Sequence, residues 1–293
     1  VDARLPNSGS ILTPFGRSWM YMYNRNSNNP ISKEHAKYIS KIKRNRLMVR
    51  FSQIAILLAF IALWELAARL NLIDAFITSQ PSRIISTIKS LYQEGVLLMH
   101  VSITIYETII GFVLGTMLGT VVAIILWWSE FAAKVADPYL VVLNSLPKVA
   151  LGPIIIVWIG AGPFAIITMA LLVSLIVTII TVLNGFMEVN PDKIKLLQTF
   201  GANKTQILKK VVLPASIPTI ISAVKINVGM SWVGVIVGEF LVSKAGLGHL
   251  IVYGGQVFKL DLVMTSVFIL SIAAALMYQF VAWLEKKFLK WQR

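Results

Sequence analysis

Apolar residues gather in six long runs along this chain, at roughly 51–70, 103–128, 135–159, 164–186, 216–238 and 262–284. A helix rises about 1.5 Å per residue, so about 20 residues cross a hydrocarbon core of about 30 Å, and each run reaches that length. The pattern predicts an all-α membrane protein with six transmembrane helices. Three polar stretches interrupt it: a tail over 1–50, a loop from about 71 to 100, and an island over 189–218 reading VNPDKIKLLQTFGANKTQILKKVVLPASIP.

Local signals refine these elements. Pro81-Ser82 opens a helical pattern in which Ile84, Ile85, Ile88, Leu91 and Tyr92 share one face, as in a lid over apolar span ends. The second span carries Gly111, Gly115 and Gly119 at intervals of four, a small-residue stripe that lets another helix approach closely. The third span is interrupted by Pro138, Pro147 and Pro153, with Gly160, Ala161, Gly162 and Pro163 closing its turn. Prolines at such depth free backbone carbonyls, and discontinuous helices point to a transport path.

The polar island reads as two short helices. Asn190-Pro191-Asp192 combines an N-cap residue, a first-turn proline and an acid favoured by the helix dipole. The first helix is expected over 191–200, with Gly201 as its left-handed cap. Asn203 is expected to cap a second helix through Lys210, which Pro214 and Pro218 lead into the fifth span. Phe200, Leu197 and Ile207 are expected to serve as apolar anchors and Lys193, Lys204 and Gln206 as a polar rim, the anatomy of a partner interface.

Composition agrees with the pattern. Hydrophobic residues form 57% of the 293 and charged residues 14%, and mean hydropathy is +0.76. A domain in water cannot bury that apolar share, whereas a bilayer can solvate it. The formal charge of +14 would suit nucleic acid, but its placement argues for topology. With the N-terminus inside, 20 of the 27 Lys and Arg fall on the inner side, so both termini are expected in the cytoplasm and no nucleic-acid partner is implied. The tail over 1–50 is expected to anchor, its segment 32–50 as a basic amphipathic helix on the membrane surface and residues 1–10 contributing nothing to the fold. The first span is then expected to act as its own signal-anchor.

Chemistry narrows next. The chain has no Cys, its three His residues lie far apart, and G-x-x-x-x-G-K-[ST] is absent. No catalytic set, metal site or nucleotide site is therefore expected. Five ionisable groups fall at membrane depth: Glu65, Glu107, Lys148, Lys225 and Glu239. Lys225 is expected to snorkel toward the inner face, and Glu65 and Glu239 to reach water at outer ends. Lys148, beside Pro147 at the expected break, is the candidate for attracting an anion.

Gly201 is followed ten residues later by Val211, then Leu213 and Pro214, a G-x9-[IV]-x-L-P spacing. This loop, Pro81-Ser82, LPKVALGPIIIVWIGAG (146–162), SWVGVIVGEF (231–240) and GLGHLI (246–251) appear in family order. From about residue 60 onward the chain resembles the permeases of the nitrate, sulfonate, taurine and bicarbonate group of ATP-binding-cassette (ABC) importers. The resemblance implies a type I importer permease fold over 51–293 in a bacterial inner membrane. It implies a homodimer of permeases, two cytoplasmic ATPase subunits that bind ATP and Mg, and an extracytoplasmic substrate-binding protein, with no cofactor held by this chain. The loop 187–215 would couple to the ATPase through Leu197, Phe200, Gly201, Ala202, Asn203, Lys204, Gln206, Leu213 and Pro214. The translocation path would be lined by Lys148, Trp158, Ser231, Trp232 and Glu239.

Where that family's loop begins with an acid and two alanines, this chain has Lys195, Leu196 and Leu197, so the facing ATPase surface is expected to be acidic. The implied cargo is a small anion such as nitrate, a sulfonate or taurine, or alternatively a thiamine-type pyrimidine precursor. A secondary transporter should show inverted repeats or a polar relay, and an intramembrane enzyme a nucleophile with a base. The sequence carries neither.

Overall fold

The structure, a computed structural model, describes residues 33–288, so the expected tail lies outside the described residues as far as residue 32. The described residues fall into two compact units, one over 33–62 with 287–288 and one over 63–286. The described residues are helical or irregular, without strands. From Lys33 onward, the basic segment expected as a separate surface helix is the first part of α1 (Lys33–Arg69). No proline or glycine interrupts this stretch, so nothing in its sequence ends a helix near residue 50.

The second unit is built around three long helices, α4 (Val96–Trp128), α7 (Pro163–Met187) and α10 (Leu213–Val242). α7 is the central one, with α4 and α10 packed along it. The glycine stripe of α4 is the reason they approach so closely. A Cβ on Gly111 would stand 2.5 Å from Ala170 Cβ, one on Gly119 2.5 Å from Thr178 Cβ, and one on Gly115 would overlap Ser174. From α10, a Cβ on Gly234 would lie 2.5 Å from Ala170 Cα and one on Gly238 3.0 Å from Ile166 Cα. In lipid, where no hydrophobic force drives helices together, such close backbone contact supplies the dispersion energy.

A polar clamp crosses the same seam. Asn227 of α10 is fully buried, and its amide donates to Thr116 of α4 at 3.1 Å and to Thr178 of α7. Toward the loop-bearing end, Ser216 donates to the Gly185 carbonyl at 2.8 Å.

The third expected span is two helices. α5 (Glu130–Ser145) and α6 (Gly152–Ile159) meet at 87° through a 3₁₀ turn, Lys148–Leu151. Pro147 excludes the helical region for the residue before it, and Leu146 is extended at φ −63°, ψ 138°. Pro138 sits inside α5 and Pro153 in the first turn of α6, where proline is tolerated. Among the described residues, five helical stretches are long and apolar enough to span a membrane, and the bent pair makes six.

The end opposite the polar loop is closed by α2 (Ala75–Thr78), α3 (Pro81–Gln93), α11 (Leu247–Gln256) and the start of α12 (Leu260–Phe288). Leu91, Leu97, Leu247, Leu250 and Leu262 form a common core with Ile88 packed against it. Of the expected face of α3, Ile84 and Leu91 are buried, while Ile85 and Tyr92 are exposed. Ser79 donates to Asp261 at 2.7 Å, pinning the α2–α3 turn to α12.

If the glycine seam sets the packing, Gly115→Val should lower the unfolding midpoint in detergent through an overpacking penalty of about 1–3 kcal/mol. Gly229→Ala, whose Cβ would meet nothing within 4 Å, should leave the midpoint unchanged or raise it.

Candidate functional site

The polar island folds as a bracket between α7 and α10. α8 (Pro191–Thr199) is capped by Asn190, whose Oδ1 accepts the Asp192 N–H at 2.8 Å. Gly201 turns the chain at φ +76°, a value that penalises a side chain. α9 (Lys204–Ile207) starts with a reciprocal capping box. Asn203 Oδ1 accepts from Gln206 N–H at 2.9 Å, and Gln206 Oε1 accepts from Asn203 N–H at 2.8 Å. A π-helical turn, Leu208–Val212, then widens the helix into α10, with Pro214 in its first turn and Pro218 inside it.

Two faces of the bracket differ. Ile207, Leu208 and Val212 are buried with Phe186 and Val189, and Leu197, Ala202 and Leu213 pack against that cluster. Ile207 and Leu197 are therefore inward anchors, a correction to their expected place on the partner-facing side. The outward apolar surface is Phe200, 80% exposed, with Leu196, 55% exposed. Leu196 was missed in the sequence, although its spacing of four from Phe200 puts both on one helical face. Gly201, Asn203, Lys204 and Gln206 surround them as exposed positions, and a Cβ on Gly201 would meet nothing within 4 Å. Lys204 binds the bracket to the end of α4: its Nζ donates to the Trp128 carbonyl at 2.5 Å and lies 5.9 Å from the rings of Trp127 and Trp128.

The five expected path residues do not come together. Trp158 is 80% exposed on α6. Trp232 is buried among Phe112, Met277 and Val281, and neighbouring Ser231 is buried with a hydroxyl that has no partner. Lys148 Nζ donates to the Asn144 carbonyl and to its side-chain Oδ1, both at 3.2 Å. Glu239 is 1% exposed, which corrects its expected access to water. Lys225 is also corrected: it pairs with Glu285 of α12 at 2.8 Å instead of snorkelling free. Glu65 accepts from Arg69 Nε at 2.7 Å and from Ser82 N–H at 3.0 Å, so it holds the start of α3.

Glu239 lies beside Glu107 of α4, also 1% exposed. Thr104 Oγ1 donates to Glu239 Oε1 at 2.6 Å and Gly248 N–H to Oε2 at 2.5 Å. The GLGHLI stretch wraps this carboxyl closely: a Cβ on Gly246 or Gly248 would collide with Glu239. His100 Nδ1 accepts the Gly246 N–H at 2.9 Å and its ring stacks on His249. Beside the pair a cavity of about 790 Å³ opens between α4, the α6–α7 turn and the end of α10. Glu107 lines it, and none of the five expected path residues does.

Six-fold spanning capacity, a broken third span and a structured polar bracket define a multi-pass membrane permease. The family described as "Binding-protein-dependent transport system inner membrane component" matches residues 111–290, and the chain belongs to that family. It is thus a permease component of the ABC-importer class. A putative aliphatic sulfonates transport permease protein of Bacillus subtilis is 30% identical over 79% of this chain and 84% of its own length. The formylaminopyrimidine transport permease protein of Halalkalibacterium halodurans is 25% identical over 80% of this chain and 94% of its own. In fold, the chain is similar to a solved bacterial ABC transporter involved in import of the acidic polysaccharide alginate, with TM-score 0.60 at 15% identity over 87% of this chain and 100% of that one.

Removing the Lys204 tether should loosen the bracket alone. Lys204→Ala is expected to raise amide exchange across 191–207 roughly fivefold, the scale of an exposed cation–π contact, with exchange in α7 unchanged.

Proposed function

We propose that this chain forms the translocation path of an importer and that its 187–215 loop is the element gripped by a separate ATPase. Two ATPase subunits holding ATP and Mg, a second copy of this chain and an extracytoplasmic binding protein complete the assembly, which sits in a bacterial inner membrane with the loop and both termini cytoplasmic. The observation that carries this reading is the exposed pair Leu196 and Phe200 on a bracket locked by its capping box, its Lys204 tether and its buried inner face. An aromatic side chain exposed outside the apolar spans leaves apolar area in water that a partner groove would remove. Lys193, Lys195, Lys209 and Lys210 are exposed on the same loop, which supports an acidic partner surface.

Force then travels by rigid elements. The bracket is continuous through the π-helical turn with α10, and its inner face is packed on the end of α7. Drawing two brackets together as the ATPases close would tilt α7 and α10 as a unit and exchange access between the two sides, a two-state rigid-body change. The cargo read from the resemblance is a small anion such as nitrate, a sulfonate or taurine, supported by the sulfonate relative. The formylaminopyrimidine relative favours the second reading, a pyrimidine precursor.

Gly201→Glu should preserve the unfolding midpoint to within a few degrees while ATP-driven uptake in proteoliposomes falls at least tenfold, because the added side chain occupies the surface the ATPase would cover. Uptake at the unmodified rate would refute the loop assignment.

A further inference from the structure

Glu107 and Glu239 present a charge problem that the chain does not solve. Both carboxyls are buried, they lie beside each other, and among the described residues no Lys or Arg forms an ion pair with either. Glu239 is supplied with donors by Thr104 and Gly248, and it is enclosed by the glycines of the GLGHLI stretch. Glu107 is not so supplied: its Oε2 is buried with no hydrogen-bond partner. A buried anionic oxygen without a donor is strongly disfavoured, and two adjacent carboxyls compound the penalty. His100, stacked on His249, spends Nδ1 as an acceptor for Gly246 N–H.

The cavity supplies the space for a compensating group. Glu107 forms part of its wall, and Ile103 and Ile166 contribute an apolar stretch. Tyr106, Ser243 and Lys244 add polar groups, Lys244 being exposed at the end of α10. The site therefore offers an acid at its buried wall, a short apolar surface, and a base toward the exposed rim. We propose that Glu107 receives the protonated amine of a small solute in this cavity, with Lys244 available to an acidic group at the solute's other end. The inference rests on the reading of the chain as an importer's translocation subunit, and it narrows the cargo to amine-bearing solutes. A simple inorganic anion would face the Glu107 carboxyl at the buried wall and leave its Oε2 unpaired.

The test uses the full chain purified in detergent, without ATPase or binding protein, and three probes at 50 mM: 3-aminopropanesulfonate, propanesulfonate and propylamine. Binding to the folded state raises the unfolding midpoint. The expected order is a rise of several degrees with the aminosulfonate, a smaller rise with propylamine and none with propanesulfonate. Glu107→Gln should keep or raise the unliganded midpoint and lose the response to both amines. Lys244→Gln should cut the aminosulfonate response to the propylamine level and leave the propylamine response intact, so the second variant decides the matter if the first does not fold. Equal shifts with and without the amine, no shift with any probe, or an unchanged response in either variant would overturn the proposal. A midpoint that rises on acidification and ignores all three probes would assign the compensating charge to a proton, which also overturns it. Because no ATPase is present, failure here leaves the loop assignment standing, and failure of the Gly201 experiment leaves this site standing.

Discussion

Close backbone approach among α4, α7 and α10 is the constraint on which the remaining structure depends. Inside a bilayer, lipid tails solvate leucine as well as another helix does, so association must come from dispersion and from hydrogen bonds made at short range. The stripe Gly111, Gly115 and Gly119 meets Ala170, Ser174 and Thr178, and Gly234 and Gly238 meet Ala170 and Ile166 of the same helix. That proximity brings the Asn227 amide within reach of Thr116 and Thr178, and Glu107 beside Glu239. A larger residue in the seam would separate the helices and strand these polar groups in an apolar medium.

The two ends of the seam have different roles. At one end the bracket buries Ile207, Leu208 and Val212 against Phe186 and exposes Phe200, so it is stiff on one side and unpartnered on the other. At the other end the GLGHLI turn closes over Glu239 and a cavity reaches Glu107. In the proposed mechanism, a displacement imposed on the bracket would be conducted along α7 and α10 to the walls of that cavity, because both helices run the full distance. The π-helical turn at Leu208–Val212 lies where the bracket joins α10, and a wide turn of this kind is a place where a helix changes direction without breaking.

Features governed by bilayer thickness and by proline or glycine were legible in the sequence. The apolar runs mark the spans, Pro147 marks the break, and Gly111, Gly115 and Gly119 mark the close face. Positions decided by tertiary pairing were not. Nothing near Lys225 announces Glu285, which sits on another helix, and nothing near Glu107 announces Glu239. The bracket shows the boundary between the two cases. Its caps and turn follow from Asn190, Gly201 and Asn203, whereas the inward turn of Leu197 depends on the cluster formed by Phe186 of α7 and Val189 just after it. Leu196 could have been read, since a residue four before Phe200 must share its face.

The central claim is that this permease is driven by a separate ATPase through its polar loop. The most direct measurement is to purify the tagged full chain from its native membrane and identify by mass what stays bound. A cytoplasmic ATPase subunit recovered in near-equal amount is the predicted result, and recovery of the chain alone or only with itself would contradict the account.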